Sequence, residues 1–265
     1  MFLQRNGEQL YYEVHEGQKQ NERFDAVLLL HSLGVDHRLW NYQIEACQQH
    51  APKVVTVDAR GHGQSKPYSG VDTEKWTNDI KTLCDELSLH KVVICGISMG
   101  GVQALGFALK HPDYVAALIL ADSFSKIDPA QVETKISMTA GVAKEQGMKR
   151  YADSYLDNTL SDSPTAAKIR HELYEAISSI SLEAYHQSAR ACFSVDYEEQ
   201  LMRIKVPVLV IIGEQDLKTP LEMSEAIQQR IPNALLVTVP NGMHLSNVDN
   251  PAVFNKYIVG FLKLI

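Results

Sequence analysis

A small hydroxyl stands at a corner in "GISMG", Gly96 to Gly100, directly behind the apolar run of residues 92–97. A serine in that setting can attack a carbonyl carbon if the turn is tight enough for its side chain to protrude. The glycines at 96 and 100 remove the Cβ atoms that would otherwise strike neighbouring backbone. A helix starting near Met99 would aim its N-terminus at Ser98 and favour an oxyanion there. A serine hydroxyl is a weak nucleophile without a base, so a histidine held by a carboxylate has to follow. "GEQDLKTP" places Asp216 just beyond one apolar run, and "PNGMHLSN" places His244 beyond the next. If these runs are strands of a parallel sheet, Ser98, Asp216 and His244 all lie at its carboxyl edge, where such sheets build their sites.

Other carboxylates and histidines compete for these roles. Asp122 ends the preceding apolar run and is the main rival acid to Asp216. His31 and His62 lie in glycine-containing loops and are read as shaping them, and seven further histidines sit in helical or loop contexts without an evident partner. A tetrahedral intermediate also needs two backbone donors. One is the N–H of Met99, after the nucleophile. The other is expected in "LLLHSLG", at Leu33 N–H, with Gly34 allowing the backbone to turn in close.

The elements that must hold these residues are legible as a rhythm. "LYYEVHE" alternates and predicts an edge-type antiparallel strand. Residues 26–31, 53–58, 91–97, 115–122, 206–213 and 234–239 read as strands buried on both faces. Helices are expected over 38–50, 73–88, 99–110, 220–230 and 251–263. Strands and helices in alternation specify an α/β doubly wound sheet. From 126 to 203 no β-branched run appears and the apolar spacing is helical, which predicts a helical insertion or cap, with 1–125 and 204–265 forming the core. The insertion holds Tyr151, Tyr155, Tyr174, Tyr185 and Tyr197, five of the eleven tyrosines. They either line a pocket or pack the insertion on the sheet.

Composition narrows the partners. A net charge of −7 argues against nucleic acid, whose binding draws on a basic surface. The first residues turn polar after "MFL", unlike a secretory signal, and runs such as "AVLLL" are too short to span a bilayer. Cys47, Cys84, Cys95 and Cys192 show no CxxC spacing, which fits a reduced, cytoplasmic protein with Cys95 in its core. No HExxH, Cys/His cluster, GxxxxGK[ST] or strand-linked GxGxxG appears, so no metal or cofactor is expected.

Taken together, "HSLG", "DARGHGQS" (58–65), "GISMGG", "GEQDLKTP" and "GMHLSNVDNP" resemble the α/β-hydrolase family over nearly the whole chain. The resemblance implies a mostly parallel eight-stranded sheet flanked by helices, with the helical insertion as a cap. The order Ser98, Asp216, His244 is the one this fold uses. Within the family, "SLG", "DARGHGQS" and "HLSNVDNP" are similar to 3-oxoadipate enol-lactonases and related esterases. Two features depart from that pattern: Ser32 stands where many relatives carry glycine, and both tryptophans, Trp40 and Trp76, lie outside the insertion. A dicarboxylate-like substrate would want a cation near the site, for which Arg190 in "SARACF" is the candidate, with Tyr151 and Tyr155 as pocket aromatics. A serine nucleophile excludes the haloalkane dehalogenase and epoxide hydrolase branches, which use aspartate.

The expected function is cofactor-free hydrolysis of a small carboxylic ester or lactone through a Ser-His-Asp triad and an acyl-enzyme. The same triad would serve a C–C bond hydrolase or an aminopeptidase. A ligand-binding or signalling protein on this fold is the alternative from a different class.

Overall fold

The computed structural model describes residues 1–265. In chain order the elements begin with β1 (Phe2–Arg5), β2 (Glu8–Glu16), β3 (Ala26–Leu30), α1 (Ile44–Gln48), β4 (Lys53–Val57) and α2 (Thr73–Glu86). The strand–turn–helix unit that carries Ser98 follows as β5 (Val92–Ile97) and α3 (Met99–Lys110), then β6 (Val115–Ala121). Five helices come next: α4 (Pro129–Ile136), α5 (Val142–Gln146), α6 (Met148–Asp157), α7 (Pro164–Ser179) and α8 (Leu182–Phe193). The chain closes with β7 (Val208–Gly213), α9 (Leu221–Arg230), β8 (Leu235–Val239), α10 (Ser246–Asp249) and α11 (Pro251–Leu264).

The eight strands form one sheet in the order β1-β2-β4-β3-β5-β6-β7-β8. From β4 to β8 every neighbouring pair is parallel, while β2 runs antiparallel to both β1 and β4. The five residues of β3 and the six of β5 are all buried, because helices cover both faces. Their side chains alternate between two cores. Val27, Leu29, Val93, Cys95 and Ile97 face one, and Ala26, Leu28, Leu30, Val92 and Ile94 face the other. The first core continues into the insertion through Ile136, Ala152, Leu156, Leu173 and Ala189, so the helices between β6 and β7 share their apolar packing with one face of the sheet.

Three local expectations need correction. The segment 38–50 is not one helix; a 3-10 turn over His37–Trp40 is followed by the separate α1. β2 is not an edge, since "FLQR" forms the outer strand β1, whose burial pattern is too exposed to leave an alternating signal. β8 is only half-buried because it is the last strand, and Leu235 is 49% exposed. The insertion also contains one π-helical turn, Ser137–Gly141, between α4 and α5. All four cysteines are free and buried, and no helix is long and apolar enough to cross a membrane.

Candidate active site

Ser98 leaves β5 with φ 54° and ψ −116°, a conformation that a residue bearing a Cβ holds only under constraint. The constraint is the surrounding backbone. A Cβ at Gly96 would collide with the Gly100 carbonyl oxygen, and one at Gly100 with the Leu30 carbonyl oxygen. Ser98 N–H donates to Ala121 O at 2.9 Å, while its carbonyl accepts from Gly101 N, Val102 N and Ser123 Oγ. The turn is therefore tied to β6 and to α3, and the hydroxyl projects from a fixed backbone.

His244 lies in the loop between β8 and α10, and Asp216 in the loop after β7. His244 Nε2 is 2.9 Å from Ser98 Oγ, and Nδ1 is 2.9 Å from Asp216 Oδ2. A proton on Nδ1, donated to the carboxylate, leaves Nε2 free to accept the serine O–H. The rest of the Asp216 carboxylate is occupied: Oδ1 accepts from the N–H groups of Lys218 (2.8 Å) and Thr219 (3.2 Å), and Oδ2 from Thr219 Oγ1 (2.6 Å). Burial opposes the charge of Asp216, but His244 and the Thr219 hydrogen bonds outweigh it and hold the carboxyl below its ordinary value. All three side chains belong to residues at most 8% exposed, so their hydrogen bonds face little competition from water.

Asp122, the rival acid, does not reach the imidazole. It sits wholly buried with φ 44°, accepting from Gly213 N at 2.7 Å and from Ser246 Oγ at 2.5 Å. Burial, with the Asp216 charge nearby, pushes its carboxyl well above the usual range. It ties the end of β7 to the start of α10, the two elements flanking the acid and histidine loops.

Leu33 N–H and Met99 N–H donate to no loop or side-chain acceptor. The Leu33 loop is braced by His31, whose Nε2 accepts from Ala59 N at 2.9 Å and whose Nδ1 lies 2.7 Å from Ser32 O. Ser32 C=O and Leu33 N–H belong to one peptide plane, so fixing the carbonyl also fixes the amide. His62, at 3.2 Å from Arg60 O, shapes the adjacent loop.

Ser98 and His244 open into a cavity of about 230 Å³ walled by Leu33, Phe124, Ile127, Tyr155, Tyr185 and Phe193. A larger cleft of about 570 Å³ lies between the first hairpin and α2, but it is polar and contains none of these groups. Of the five tyrosines singled out, Tyr155 and Tyr185 line the cavity. Tyr151 is packed behind them, with its hydroxyl 2.7 Å from that of Tyr185. Arg190 is misassigned by the sequence reading: its half-exposed guanidinium pairs with Glu133 at 2.8 Å on the outside of α8 and α4. The cations at the cavity are instead Lys135 and Lys218. Neither these lysines nor Thr219 was anticipated. The only signal was "DLKTP", where a threonine three residues after an aspartate can close a turn onto its carboxylate.

Residues 25–251 match the family model for the alpha/beta hydrolase fold, and the chain belongs to that family. A protein named 3-oxoadipate enol-lactonase 2, from Acinetobacter baylyi, is 31% identical over 245 residues, 90% of this chain and 88% of its own length. The crystal structure of the enol-lactonase from Burkholderia xenovorans LB400 is similar at TM-score 0.88 and 27% identity, covering 99% of this chain and all of that one. A thermophilic esterase from Thermogutta terrifontis is similar at TM-score 0.85 and 26% identity, covering 99% of this chain and 96% of that one.

Proposed function

We propose that this chain is a serine hydrolase of small carboxylic esters or lactones, acting through Ser98, His244 and Asp216 by way of an acyl-enzyme. The observation that carries this reading is the unbroken line from Ser98 Oγ to His244 Nε2 (2.9 Å) and from Nδ1 to Asp216 (2.9 Å), opening onto an apolar cavity. Relatives named as enol-lactonases and an esterase support the ester bond as the target.

In this mechanism Ser98 Oγ bonds to the substrate carbonyl carbon as its proton passes to His244 Nε2, and Asp216 stabilises the imidazolium. The carbonyl π-electrons move to oxygen, held by Leu33 N–H and Met99 N–H. Collapse of the tetrahedral intermediate breaks the bond to the alkoxy or enol oxygen, which takes the proton from Nε2. In a lactone that oxygen stays tethered to the acyl group. Water then adds to the acyl carbon with His244 as base, and Ser98 leaves with its proton restored. Residues 126–203 act as the cap that walls the acyl group from solvent.

The test is intact-mass spectrometry after exposure to a fluorophosphonate, on the wild type and Ser98→Ala in parallel. One adduct on the wild type and none on the variant is the expected result. Equal labelling of both, or labelling of neither, would overturn the assignment of Ser98.

A further inference from the structure

Lys218 stands inside the candidate site without a role in the mechanism above. It lies between Asp216 and Thr219 and lines the cavity with Ser98 and His244, its Nζ 4.9 Å from the centre of the Tyr155 ring. It makes no ion pair. Asp216, the carboxylate whose field reaches it, is already engaged by His244 and Thr219. Burial accordingly pulls the Lys218 ammonium below its ordinary value. Lys135, a second cation on the cavity wall, donates to the Lys218 carbonyl at 3.3 Å and likewise has no carboxylate partner. Most of the remaining wall is apolar.

Withdrawing a cation from water without a counter-ion is unfavourable, and an unmatched charge in a cleft is where a ligand of opposite charge gains most. A chain with net charge −7 has acidic groups to spare, yet none forms an ion pair with either of these lysines, and the one nearby carboxylate, Asp216, is engaged by His244 and Thr219. The contrast with Arg190 is direct, since its charge is neutralised by Glu133 at the surface. The ring of Tyr155 supplies partial compensation and holds the ammonium in place. The cavity, about 230 Å³, is small and suits a small acyl group.

We infer that Lys218, seconded by Lys135, is the specificity-determining cation of this cavity, and that the acyl part of the substrate carries a free carboxylate. The inference rests on the serine-hydrolase reading, and it makes the substrate a short monoester or lactone of a dicarboxylic acid. A carboxylate placed against Lys218 would form a charge-assisted hydrogen bond in a partly dry site, where such bonds are strong.

The experiment compares monomethyl glutarate with dimethyl glutarate, which differ by one charge. It uses the wild type, Lys218→Met, Lys218→Arg and, as a surface control, Arg190→Met. The wild type should favour the monoester in kcat/KM. Lys218→Met should raise KM for the monoester about 10–100-fold and collapse the preference, as expected for loss of a charge-assisted contact. Lys218→Arg should retain part of the preference, and Arg190→Met all of it. A wild type that prefers the diester, or a Lys218→Met enzyme with an unchanged monoester-to-diester ratio, would overturn the inference. A second arm does not depend on turnover: calorimetric titration of Ser98→Ala with glutarate, with and without Lys218→Met. Binding lost on Lys218→Met supports the cation site even if no variant hydrolyses either ester, in which case only the hydrolase reading falls. Binding that is absent, or indifferent to Lys218, counts against the cation site.

Discussion

At the scale of single residues, Thr219 shows how the site depends on more than three side chains. Its hydroxyl donates to Asp216 Oδ2 at 2.6 Å and lies 3.4 Å from His244 Nδ1, so it holds the oxygen that accepts from the imidazole. Thr219→Val keeps the shape and removes the donor. We expect kcat to fall about tenfold with KM little changed, the usual magnitude for a hydrogen bond to a charged group, read by steady-state kinetics. A KM rise at constant kcat would mean that Thr219 acts on substrate binding instead. Replacing Ser98 or His244 by Ala should lower kcat by roughly 10³–10⁶, and the double variant should be scarcely slower than either single, because the pair acts as a unit. Additive losses would contradict that. The sequence made Ser98, Asp216 and His244 legible because each follows an apolar run, which places all three on one sheet edge whatever the loops do. It could not expose Lys218, since whether "DLKTP" turns its lysine inward depends on the Asx-type turn closed by the Lys218 and Thr219 amides. Arg190 was misread for the converse reason: helical spacing does not say which side of α8 meets the cavity and which meets Glu133 on α4.

At the scale of elements, the strand-to-helix elbow gives the most direct test of packing. The Cα of Gly100 faces the carbonyl oxygens of Leu30 and His31 at the end of β3, and both partners are backbone in a fully buried strand-end. Gly100→Ala cannot be absorbed by a rotamer change. A loss of roughly 3–5 kcal/mol in a denaturant titration is expected, the upper range for single substitutions. A loss under about 1 kcal/mol would show that α3 can slide away from β3. β3 to β7 were readable because parallel strands covered on both faces are continuous apolar runs. β1 was not, because "FLQR" owes its strand to pairing with β2 rather than to burial. The break between the 3-10 turn and α1 was equally hidden. Gln43, at that break, donates its side-chain amide to Asn247 and Asn255, more than 200 residues away, a tertiary tie that local sequence does not reveal. The π-helical turn at Ser137–Gly141 has no sequence mark, yet it places Met138 and Thr139 on the cavity wall.

For the whole molecule, stability against pH follows from how two loops at the sheet edge are joined. The loop after β3 is bound to the loop after β4 by His37, whose Nδ1 lies 2.7 Å and whose backbone N lies 2.8 Å from Asp58 Oδ1. Burial lowers the affinity of His37 for a proton, but the Asp58 carboxylate overrides it and the net shift is upward from 6.5. Burial likewise opposes the Asp58 charge, and His37 again outweighs it, so that carboxyl is held below 3.8. A histidine raised on folding stabilises fully below its unfolded value, and the gain is lost as pH rises through its folded value. A carboxyl lowered on folding stabilises above its unfolded value, and the gain is lost as pH falls through its folded value. The pair therefore contributes in full between 3.8 and 6.5. His31 and His62 have the opposite sign. Burial holds both down, His62 to about 3, so below 6.5 the unfolded chain takes up protons that the native one refuses. Each then removes up to about 1.4 kcal/mol per pH unit while only the unfolded form is protonated. The two effects separate in a variant. In His37→Asn, Tm should fall relative to the wild type at about pH 5.5, and the gap should narrow toward about pH 9 as the imidazole loses its proton on passing through its raised folded value. Both proteins should still lose stability steeply on the acid side, because His31 and His62 are untouched. A Tm gap of equal size at the two pH values would show that the His37 ring joins these loops through packing and a neutral hydrogen bond to Asp58, and that its charge contributes nothing to folding.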